Sequence, residues 1–163
     1  MSYAVKAEAL AKAILVLVDG GVDDSHCYRN LVDNLYAYRV GAVNGTGKWD
    51  TRKIKEQCQW TISARNSDKV EKEHVVPMAE VVRILLSLTN PQVSDVYDVI
   101  DKYCVYCIVT PKEHSILNVK YQRKMPSEFW DSNSNSNSNS NSNSDYYMDA
   151  WARYKLSSLE VVF

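Results

Sequence analysis

The chain reads as an α+β protein that is mostly α, a helical domain with a small ββα-like element. Three observations predict this. Several long stretches place apolar residues at helical spacing. Two short segments, His74-Val75-Val76-Pro77 and Tyr103 to Val109, are β-branched or aromatic enough to be strands. Thr110-Pro111 then opens a helix directly after the second. A length of 163 residues fits one domain with a sizeable core. Within it we expect a helical N-terminal part (1–70), a ββα-like part (73–120), a flexible Ser-Asn loop (132–144) and a C-terminal aromatic segment (145–163).

Residues 3–18 predict the first helix through Val5, Ala9, Leu10, Ala13, Ile14 and Leu17, and Gly20-Gly21 ends it. Asp24 or Ser25 caps a second helix that runs to about Tyr38. A third is expected from Asp50-Thr51 to about Ser63, with Ile54, Cys58 and Ile62 on its apolar face. After the first short strand, Met78 to Leu88 carries an apolar stripe, and Asn90-Pro91 breaks it. Ser94 can cap a short helix bearing Val96, Val99 and Ile100. Tyr103 to Val109 is the clearest strand. In the helix after it, His114 and Asn118 lie four apart and so share a face. The Ser-Asn alternation from Ser132 to Ser144 has nothing apolar to bury and reads as a tether. Its flanks are aromatic and should dock on the core.

The apolar (45%) and charged (24%) fractions are those of a globular chain, and no apolar run reaches the ~18 residues of a membrane span. Ala9 to Val18 is interrupted by Lys12, preceded by Lys6 and Glu8, and has no signal-peptide cleavage pattern. We read it as a buried helix of a cytoplasmic protein. The four cysteines then favour reduced thiols. Cys104-x-x-Cys107 has the spacing of half a zinc knuckle, but its flanks read as a buried strand, where cysteine packs as a small hydrophobe. A net charge of -1 does not advertise nucleic acid. Locally, Lys48 to Lys72 holds seven Lys/Arg against four Asp/Glu, and Lys112 to Lys124 four against one. Both stretches adjoin the histidine motifs. Arg65, Lys69, Lys72, Lys112 and Lys120 are the residues we expect to hold phosphates, with a solvated surface as the alternative.

Two of the three histidines stand beside a carboxylate, at Glu73-His74 and Glu113-His114. Imidazole is the side chain best suited to take a proton near neutral pH or to hold a transition metal. On the residues alone, Glu73-His74 could equally be an inert junction and His114 a surface residue. His26, after Asp-Asp-Ser, reads as structural.

Glu73-His74-Val75-Val76-Pro77 resembles the acidic-His-hydrophobic-hydrophobic-Pro opening of the HNH, or ββα-metal, endonucleases in their divergent phage-type form. His114-x-x-x-Asn118 is similar to that family's closing His-x-x-x-His/Asn. The resemblance covers residues 73–118. It implies a metal-dependent endonuclease acting on DNA, with His74 as general base, Glu73 and His114 as ligands of a divalent metal (Mg or Zn), and Asn118 as a further ligand or phosphate contact. The family's central Asn has no counterpart besides Asn90, which a helix-ending Asn-Pro also explains, and paired CxxC knuckles are absent. Two rivals follow. One is a non-catalytic nucleic-acid-binding protein on the same scaffold. The other is a protein-interaction or inhibitor module, suited by eleven tyrosines and four tryptophans.

Overall fold

In a computed structural model of the protein, residues 2–47, 49–132 and 145–163 are described. Apart from Ser132, the expected Ser-Asn tether lies outside them. The fold is α+β and mostly α. Helices α1 (Tyr3–Asp19) and α2 (Ser25–Arg39) form where the apolar spacing predicts, capped by Ser2 and Asp24. Each cap side chain accepts from a backbone N–H that the helix leaves orphaned. Then come α3 (Thr51–Gln57), β1 (Gln59–Thr61), α4 (Ile62–Arg65), β2 (Glu71–His74), α5 (Met78–Leu86) and α6 (Val93–Tyr103). The order closes with β3 (Tyr106–Val109), α7 (Pro111–Tyr121), α8 (Ser127–Trp130), α9 (Ala152–Leu156) and β4 (Val161–Val162). No helix among the described residues is long and apolar enough to cross a membrane.

The structure corrects the sequence reading at four places. The third helix stops at Gln57, and Gln59–Thr61 becomes a strand that pairs parallel with β3 and antiparallel with β4. The spacing of Ile54, Cys58 and Ile62 cannot record those partners, and Ile62 ends up 46% exposed. The second strand starts at Tyr106, because Val96, Val99, Ile100 and Tyr103 continue one helical stripe and all are buried. Gln92, not Ser94, caps α6, through a reciprocal capping box with Asp95. The first strand also begins earlier than His74, at Glu71. Val75 continues the ladder by donating to Val105 O at 2.9 Å, and both Val75 and Val76 are buried.

The sheet order is β2-β3-β1-β4. The β2–β3 pair is antiparallel, with Glu73 opposite Cys107 and His74 opposite Tyr106. Successive side chains of a strand point to opposite faces. Lys72, His74, Tyr106 and Ile108 therefore share the face toward α2, where Tyr36 meets Tyr106 edge-on at 5.1 Å. Glu71, Glu73, Thr61 and Cys107 share the face toward α7 and α9. The buried residues form one cluster from α1 through the sheet to Phe129 and Tyr154. The aromatic flanks do dock on this core: Phe129 and Tyr154 are buried, and Met148 N donates to Phe129 O at 2.9 Å.

Candidate functional site

Helix α7 is held in place before its functional residues begin. Thr110 Oγ1 accepts from Glu113 N at 3.2 Å, and Pro111 occupies the first turn, where its missing N–H costs nothing. The buried Glu113 carboxylate returns the contact. Its Oε2 accepts from Thr110 N (2.8 Å), Thr110 Oγ1 (3.0 Å) and Thr61 Oγ1 (2.8 Å). This carboxylate ties the start of α7 to β1 and sets the rotation that presents His114 and Asn118 to β2.

The two histidine motifs meet. His114 Nδ1 lies 2.9 Å from Glu73 Oε2 and 3.6 Å from Glu71 Oε2. Asn118 Nδ2 stands 2.7 Å from His114 Nε2. With the amide donating, the ring carries its proton on Nδ1, toward the two carboxylates. That nitrogen is shielded from solvent and has no aligned hydrogen-bond acceptor, so the contact is one of charge proximity. The other oxygen of Glu73 accepts from Arg153 Nη2 at 3.0 Å. Arg153 is fully buried, and its Nε has no partner among the described residues.

On the opposite face of the strand, His74 has a carboxylate of its own. His74 Nε2 lies 3.3 Å from Asp33 Oδ1, and the Tyr106 hydroxyl donates to the same oxygen at 2.6 Å. The Tyr106 ring also packs on the imidazole at 4.5 Å between centroids. Burial pushes the Asp33 carboxyl up, but the hydrogen bonds from His74 and Tyr106 and the charges of His74 and Lys72 outweigh it, and the net shift is down. Burial likewise pulls the Lys72 ammonium down, where it sits over the rings of Trp49 (3.8 Å) and Tyr106 (4.1 Å).

Both faces open into one polar cleft of about 250 Å³, past the end of β2 where the chain turns into α5. Glu73, His74, His114, Asn118 and Arg153 line it. Two polar stripes complete the walls: Ser25 and Arg29 on α2, and Gln122 and Arg123 at the end of α7. The expected phosphate-holding residues lie elsewhere. Arg65, Lys69 and Lys112 are exposed away from the cleft, Lys120 Nζ is spent on Leu156 O, and Lys72 is stacked on aromatic rings. His26 donates its backbone N–H to Asp24 Oδ1 at 2.9 Å and lies outside the cleft lining. Cys58, Cys104 and Cys107 are free and buried. Burial pushes the thiols of Cys58 and Cys107 up to about 11 and about 12, and that of Cys104 well above its ordinary value, so they pack as inert core atoms.

Sequence reasoning missed Asp33, Tyr106, Arg153, Arg29 and Arg123 as members of this site. A usable signal existed for three of them, Arg29, Asp33 and Arg153. Ser25, Arg29 and Asp33 recur every four residues on an otherwise amphipathic helix, which marks a polar stripe. An arginine inside the docking segment Trp151-Ala152-Arg153-Tyr154 should likewise have raised the question of its buried partner.

Comparison with family models, curated proteins and solved structures finds no match to this chain.

Proposed function

We propose that the protein is a metal-dependent, HNH-like endonuclease that hydrolyses DNA phosphodiester bonds in the cytoplasm. One observation carries this reading. Glu73-His74 and His114-x-x-x-Asn118, about forty residues apart, converge on one cleft carried by an antiparallel strand pair and the helix that follows it. His74 is the general base. With Nε2–H held by Asp33, the lone pair resides on Nδ1, and the carboxylate stabilises the imidazolium that forms when water gives up its proton. Tyr106 fixes Asp33, so the couple is oriented before substrate arrives. Glu73 and His114 are the residues that would hold the metal. Their chemistry suits a cation: a carboxylate oxygen and a solvent-shielded imidazole nitrogen stand 2.9 Å apart, and with the Nδ1 proton gone both would turn a lone pair toward the ion. With a metal on Nδ1 the ring proton would stay on Nε2, where the Asn118 amide, turned to present its oxygen, would accept it and orient the imidazole. When bound, a divalent ion (Mg²⁺ or Zn²⁺) supplies charge stabilisation at the phosphate and the departing oxygen.

The test is nicking of supercoiled plasmid after EDTA treatment and re-addition of Mg²⁺, Mn²⁺ or Zn²⁺. Wild type should nick, and His74→Ala should be slower by roughly 10²- to 10⁴-fold, the range of a lost general base. Equal background nicking by both proteins would remove the enzymatic reading.

A second reading has its own support. Among the described residues no three His, Cys, Asp or Glu side chains are grouped as a metal site, and both oxygens of Glu73 already face nitrogens, one of His114 and one of Arg153. On this reading the chain binds nucleic acid on the same scaffold and cuts nothing. Salt-dependent DNA binding without nicking in any of the three metals would select it.

A further inference from the structure

The cleft holds three arginines, and two of them are uncommitted. Arg29 and Arg123 are exposed and form no ion pair among the described residues. Arg153 is fully buried, spends one nitrogen on Glu73 and keeps Nε unpartnered. A buried donor without an acceptor is costly, and such a group in a cleft wall is suited to an incoming anion. The chain is also bent to supply this wall. Gln122 adopts φ 52° and ψ -118°, a conformation that a residue with a Cβ rarely holds. That bend ends α7 and places Gln122 and Arg123 in the cleft lining.

Against these three cations the lining has one carboxylate, Glu73. Guanidinium forks match the paired oxygens of a phosphate. The cleft is smaller than the roughly 300–1,000 Å³ that encloses a whole small molecule. Histidines aside, no aromatic side chain among the described residues lines it, so they offer no platform on which a base would stack. We propose that Arg29, Arg123 and Arg153 form a phosphate clamp that grips the nucleic-acid backbone without reading the bases. The clamp rests on the nuclease reading only in taking nucleic acid as its ligand.

The experiment is fluorescence anisotropy in EDTA, where no metal-dependent cutting can occur, on the full chain with two duplex DNAs of unrelated sequence, from about 50 to 200 mM salt. Wild type should bind both alike. Arg29→Ala and Arg123→Ala should each weaken binding roughly tenfold and lower the slope of log K against log salt by about 1. Both residues are exposed, so the variants should melt with wild type. Lys69→Ala, a basic residue outside the cleft, should leave the slope unchanged. Three results overturn the clamp: no binding by wild type, unchanged slopes in both arginine variants, or a tenfold preference for one duplex. The nicking assay separates the two ideas. Metal-independent binding with the expected slopes but no nicking keeps the clamp and removes the enzyme. Nicking with unchanged slopes does the reverse.

Discussion

Asp33 Oδ1 accepts from both Tyr106 and His74, and through these contacts one carboxylate orients the imidazole. It is a positioning residue, since it acts on substrate only through His74. Its side chain is 24% exposed, so the contacts are partly sheltered from solvent. The folded-state pKa lies below its ordinary value. A depressed carboxyl contributes stability that is present above the unfolded value, about 3.9, and is lost as pH falls through the folded one. Asp33→Asn should therefore unfold less steeply with acid below about pH 4 than wild type. It should also be less stable at pH 7 by about 1–3 kcal/mol, as expected for hydrogen bonds to a charged group. Urea melts across the pH range check both. A wild-type acid slope retained in the variant would show that Asp33 is not held in this way.

At the scale of elements, the position of α7 decides whether the histidine motifs meet. Its sequence alone, Thr110-Pro111-x-Glu113, specifies a capped N-terminus. What the helix packs against depends on Thr61, 52 residues away, which donates to the same Glu113 oxygen. Glu113→Ala removes the acceptor for three donors and leaves the buried Thr61 hydroxyl, which still accepts from Ala64 N, with no acceptor for its own proton. The expected cost is about 2–4 kcal/mol, read as a shift of the denaturant midpoint at unchanged slope. If the variant also nicks more slowly than its lost stability explains, α7 has rotated and taken His114 with it. A midpoint within about 0.5 kcal/mol of wild type would mean that the contact to β1 is dispensable.

For the whole molecule, the decisive fact is that one core runs from α1 through the sheet to the aromatic flanks. Those flanks are joined to each other by the Met148 N to Phe129 O bond, and Phe129 and Tyr154 are buried in the core. Removing residues 133–144 and closing the gap with a short Gly-Ser linker should leave the melting temperature within about 2 °C and DNA binding unchanged. Loss of either would assign the tract a role. Much of this architecture was legible in the chain. The first two helices, the α5 stripe, the Thr110 cap and the docking of the aromatic segments all follow from periodicity and capping chemistry acting over a few residues. So does the placing of Glu73-His74 at a short strand and of His114 and Asn118 on one helical face. Contacts between distant segments leave no such local trace. Asp33 reaches His74 across 41 positions, Tyr106 reaches Asp33 across 73, and Arg153 reaches Glu73 across 80. The strand at Gln59–Thr61 exists because β3 and β4 lie beside it, against a helical spacing in its own residues. The chain thus carried the two imidazoles and the elements that bear them. Folding alone supplied the carboxylate behind one, the buried guanidinium beside the other, and the arginine-lined cleft between them. Backbone propensity acts on neighbours, whereas charge pairing and burial act on whatever the fold brings within a few ångströms.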